Sequence, residues 1–162
     1  MPSTNPPPSA DRRPVVMYAG LALTAITTLV PLIDLVTVDS LTDHVRTAYP
    51  DWPAATVALD RNAIAGYLVI VGVLGIAGWL WTILGVTRRA NWARTVSTVM
   101  FALGAGTALL NLTFTGGAYD NVIPARYSVP GLLPVLVGLV AVVLLWRGQP
   151  SGATPTPTHP RS

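Results

Sequence analysis

The chain has 162 residues, of which 51% are hydrophobic and only 10% charged, and its mean hydropathy is +0.54. Soluble domains carry roughly 25% charged residues, so most of this chain is not built to face water. It has no cysteine, which excludes disulfides, thiolate nucleophiles and cysteine-ligated metal or iron–sulfur centres.

Residues 1–13 are rich in Pro and Ser, with little to bury, and read as a disordered cytoplasmic N-terminus. The first apolar span covers about 15–35. Behind Arg12-Arg13 it has the outline of a signal peptide. Its length, the lack of an A-x-A site and the three later spans mark it instead as an uncleaved helix. Gly20, Thr24 and Thr28 recur at i, i+4, i+8 and form a flat face for helix contact. Pro31 is expected to bend its far end.

Residues 36–63 form the one sizeable polar segment between spans. Ser40 with Asp43 resembles a capping box, and Leu41, Val45 and Tyr49 share a helix face that Pro50 ends. Asp51-Trp52-Pro53 reads as an N-cap and first-turn proline opening a helix through Ala54 to Leu59, with room to run directly into the second span. This loop is the largest exposed part of the chain and the expected seat of specificity. The plainer alternative is a helix lying on lipid headgroups.

The second span, Ile64 to Val86, is uncharged throughout and, at about 1.5 Å per residue, crosses a ~30 Å hydrocarbon layer. Gly72, Gly75 and Gly78 offer close approach to neighbouring helices, within the chain or in another copy. A basic turn holding Arg88 and Arg89 follows. The third span, about 92–114, carries two small-xxx-small pairs, Ala102/Gly106 and Gly104/Ala108. A shorter loop, 115–128, leads to the fourth span, 129–146, with Pro130 and Pro134 in its first turns. Residues 148–162 read as a second disordered cytoplasmic tail.

The expected fold is therefore an all-α integral membrane protein, a four-helix bundle with a partly helical extracytoplasmic loop between helices 1 and 2. All ten basic residues are arginine and all seven acids aspartate, a usage that suggests GC-rich bacterial coding. Seven arginines (12, 13, 88, 89, 94, 147 and 161) share one side with a single acid, Asp11. By the positive-inside rule both termini are cytoplasmic, in the cell membrane. Trp79, Trp81, Trp92 and Trp146 fall toward that inner interface. Arginines grouped beside apolar spans orient a chain in a bilayer, and nucleic acid is not an expected partner.

Asp34 is the one acid within or abutting a span, and an ionisable residue there is a candidate site. With Asn111 at similar depth and Arg126 from the second loop it is expected to form a polar cluster on the outer side of the bundle. The glycosylation sequon Asn111-Leu112-Thr113 lies inside a span and is discounted. His44 has no second histidine near it and reads as a surface residue.

The residues do not compose a catalytic, metal or cofactor motif, so an enzyme is not expected and no cofactor is implied. The favoured function is a non-enzymatic accessory, scaffolding or partner-binding subunit of the cell envelope. Its partners would be the lipid bilayer and another membrane protein or a second copy of itself. The alternative is a small transporter or channel acting as a homo-oligomer. Small four-helix multidrug transporters place a carboxylate in the middle of their first helix, where this chain has the uncharged stretch Leu23 to Thr28. The helix order with its larger first loop resembles that of tetraspan and claudin-like proteins in topology alone, because the loop cysteines of those families are absent.

Overall fold

In a computed structural model, residues 12–90 and 92–147 are described. Nearly all of the two expected disordered tails lies outside these residues. The elements are α1 (Arg13–Val36), α2 (Ser40–Ala48), α3 (Ala54–Thr87), α4 (Ala93–Thr113), α5 (Ala125–Ser128) and α6 (Leu132–Arg147). Four segments are long and apolar enough to cross a membrane: Arg13–Val36, Ala54–Thr87, Ala93–Thr113 and Ala125–Arg147. The chain thus fits a multi-pass membrane protein. Its outer faces bear large apolar side chains such as Ile26, Ile70, Leu103 and Leu136, all more than half exposed.

α3 is a single 34-residue helix, about 51 Å long, and exceeds a ~30 Å hydrocarbon layer by about 20 Å. The excess is its N-terminal part, which carries Asp60, Arg61 and Asn62. α2 packs there, and with the loop 115–124 it forms a cap over one end of the bundle. The best-packed core of the molecule lies in this cap. Leu41 and Val45 are wholly buried with Val57, Ile64, Ala65, Ile123 and Tyr127, and Trp52 and Tyr119 close around them.

Below the cap the spans form a ring in which α1 touches α3 and α6, and α4 touches α6 and, most sparsely, α3. The α1–α3 seam is made by small residues. The Trp79 indole lies over Gly20 and donates from Nε1 to Thr24 Oγ1 at 3.0 Å. Thr28 fills the space beside Gly72, and a Cβ on Gly75 would stand 3.0 Å from Thr24 Cγ2. The Gly20/Thr24/Thr28 face therefore meets α3 of the same chain. Gly78 sits against Met100 of α4. Gly104 and Gly106 differ: nothing stands within 4 Å of the position their Cβ would take, so they make no close helix contact here.

Several local expectations are corrected. The Ser40/Asp43 capping box does not form. Asp39, left-handed at φ 51°, is the N-cap, and the Ser40 side chain turns to Asp34 instead. Pro53, not Asp51, precedes the first residue of α3. The fourth span is interrupted at Val129–Gly131, where Pro130 cannot donate to the helix ladder, and restarts as α6. Trp79 points into the bundle, whereas Trp81, Trp92 and Trp146 are 60%, 42% and 58% exposed.

These contacts separate two glycine classes. Gly72→Ala forces a methyl group into Thr28 and is expected to cost about 1–3 kcal/mol of stability. Gly104→Ala meets open space and is expected to be neutral or to stabilise by up to about 1 kcal/mol through helix propensity. Thermal unfolding of both variants in one detergent checks the contrast.

Candidate functional site

A chain of side-chain hydrogen bonds joins the cap to the bundle. Asp34, near the end of α1, accepts from the Ser40 amide at 2.9 Å and from Ser40 Oγ at 2.8 Å. Ser40 Oγ also lies 3.1 Å from the Tyr127 hydroxyl of α5. Next in sequence, Ser128 donates to the Asn111 carbonyl of α4, and the Asn111 side-chain oxygen accepts from Tyr67 of α3 at 2.7 Å. Five helices are thus tied at one level. Unpaired, a carboxylate at the end of an apolar helix is costly, and Ser40 meets both of its oxygens.

The expected trio of Asp34, Asn111 and Arg126 is not drawn into one direct cluster. Asp34 and Asn111 occupy the two ends of this layer, linked through Tyr127 and Ser128. Arg126 is exposed and makes no ion pair among the described residues; its charge acts on the neighbouring Tyr127. Sequence reasoning does not assign Tyr127, Ser128 or Tyr67 to this site and reads Ser40 there only as a helix cap. The available signal was a tyrosine placed just inside the second span at the depth of Asn111.

The outer part of the cap is aromatic and acidic. Tyr49 and Trp52 stack at 3.8 Å, Tyr119 meets Tyr49 edge-on at 5.2 Å, and His44 lies parallel to Tyr119 at 5.0 Å. The Tyr49 hydroxyl accepts from the Ala118 amide at 2.9 Å, beside left-handed Gly117 at φ 60°, where any side chain would strike that hydroxyl. Arg61 and Asp39 form an ion pair at 2.9 Å. His44 is more enclosed than a surface residue: its Nε2 is buried, and neither it nor Asp39 Oδ1 has a partner among the described residues.

The bundle itself forms a partly open cavity of about 550 Å³ beneath the polar layer, with walls from all four spanning segments. Its lining is apolar and hydroxyl-bearing and includes no charged side chain. Thr24, Thr28, Gly72, Gly75, Gly78, Gly104 and Asn111 all reach it, whereas Gly20, Gly106, Asp34 and Arg126 do not. No group of three or more metal-ligating side chains occurs among the described residues. No protein family matches this chain, and no curated protein and no solved structure matches it.

Tyr119 yields a pH prediction. Burial, then the hydrogen bond it donates to Asp60 and that carboxylate's charge, raises its hydroxyl well above the ordinary tyrosine range. The folded state therefore keeps a proton that the unfolded chain releases above about pH 10. This contribution is complete below that pH and is lost as pH rises further. Detergent stability is expected to fall above about pH 10, and to fall less steeply in Tyr119→Phe.

Proposed function

We propose that this chain is a non-enzymatic accessory or scaffolding subunit of a bacterial cell envelope, which binds a protein partner through its cap. The observation that carries this reading is the cap's own packed core. Leu41 and Val45 are 0% exposed, a degree of burial that a helix lying loosely on lipid headgroups would not need. A pre-folded surface keeps its shape without a partner, so little ordering entropy opposes binding.

The arginine distribution supports an orientation with the cap outside and the termini in the cytoplasm. On the cap Asp43, Asp51 and Asp120 are exposed, so the partner surface it suits is basic. A second reading, a small transporter or channel acting as a homo-oligomer, draws support from the cavity between the spans.

Purification from native membranes in mild detergent, followed by mass spectrometry and the mass of the complex, tests the first reading. A stoichiometric protein partner is expected, and the Asp43→Asn, Asp51→Asn, Asp120→Asn triple variant should retain it about 10-fold less well at low salt. A homogeneous homo-oligomer with nothing attached would sink that reading. Solute flux in liposomes, lost in Asp34→Asn, would then favour the second.

A further inference from the structure

The cavity has a shape and one unmet hydroxyl that together specify a ligand. On α3 its walls run from Leu68 to Thr82 and on α4 from Ser97 to Asn111, each about 21 Å along the helix. Over that length about 550 Å³ makes a long, narrow slot, a shape that suits a single extended hydrocarbon chain.

The hydroxyls in the wall are nearly all committed. Thr24, Thr27, Thr28, Ser97 and Thr107 each donate to a carbonyl of their own helix. Thr82 is the exception. It is 5% exposed, lines the cavity and has no hydrogen-bond partner among the described residues. Facing an apolar wall with no partner among the described residues, this hydroxyl favours an occupant that brings it an accepting oxygen. Waters need two to four polar partners each, which this wall does not supply along its length. An ionised ligand would find no counter-charge.

The way in is lateral. α3 and α4 close on each other at Gly85 against Trp92 and at Gly78 against Met100, and again at the Tyr67–Asn111 hydrogen bond. Between these closures Leu74 and Leu103 wall the cavity yet are 66% and 61% exposed, and Gly104 has nothing within 4 Å of its would-be Cβ. In a membrane-spanning bundle this window opens onto hydrocarbon.

We propose that the bundle cavity binds one neutral single-chain lipid from the bilayer, admitted between α3 and α4 at Gly104 and holding its oxygen against the Thr82 hydroxyl. The chemical class is a long-chain alcohol or an equivalent uncharged oxygen-bearing chain. The site rests on the spans crossing a membrane and not on the cap's partner: Tyr127 is common to the cap core and the cavity roof, but Thr82 and Gly104 lie away from the cap, and the two proposals have separate tests.

Native mass spectrometry of the delipidated full chain, incubated with hexadecanol, hexadecane or palmitate, reads the proposal directly. One hexadecanol per chain is expected, bound about 2- to 10-fold more tightly than hexadecane, with palmitate weaker than the alcohol. Thr82→Val keeps the shape and should erase the preference for the alcohol over the alkane. Gly104→Leu enters open space, so it should fold, and should abolish binding by filling the window. Gly106→Leu, outside the cavity wall, should leave binding unchanged. Absence of one-to-one hexadecanol binding, unchanged preference in Thr82→Val, full binding in Gly104→Leu, or equal affinity for palmitate would each overturn the assignment.

Discussion

A carboxylate at the end of an apolar helix has to be met by hydrogen bonds, and in this protein that requirement organises one whole end of the molecule. Asp34 takes both the amide and the hydroxyl of Ser40. That pairing turns the chain back over the bundle and starts α2 where its apolar face meets α3. The second contact of Ser40, to Tyr127, reaches α5, and Ser128 carries the connection to Asn111 and Tyr67. Within a low-dielectric surrounding such a layer is strong when complete and costly when broken. Here it meets both Asp34 oxygens and the Asn111 side-chain oxygen.

The two halves on either side of this layer are packed on different principles. The cap has an ordinary buried core of large side chains, Leu41, Val45 and Val57, with aromatic rings over it. In the bundle, small residues let α1 and α3 approach, with Trp79 laid on Gly20, and the large side chains point outward. That division is expected where lipid is the solvent, since apolar burial drives folding in water but not between helices in hydrocarbon. The cavity follows from it. α1 and α3 meet closely through glycine and threonine, whereas α3 and α4 touch only sparsely, and no bulky residue fills the space left between the spans.

Much of this was legible from the residues alone. The four spans and the contact face at Gly20, Thr24 and Thr28 follow from apolar run length and helical spacing. Other features were not, for particular reasons. The Ser40/Asp43 spacing suits a capping box, but a nearby carboxylate six residues back claims the serine hydroxyl first. Gly104 and Gly106 have the spacing of a contact motif, yet spacing does not say whether a neighbour is present. Trp79 sits where an interfacial belt residue belongs, and its inward turn depends on Gly20 of another helix leaving room for the ring.

The sequence by itself determined the number of spans, their lengths and the sites where small residues occur, because each depends only on hydrophobicity and period along the chain. Tertiary structure decided which small residues are occupied, how Asp34 is satisfied, and that Thr82 meets no hydrogen-bond partner among the described residues where it lines the cavity. Those outcomes depend on residues distant in sequence meeting at one depth, a relation no local pattern encodes.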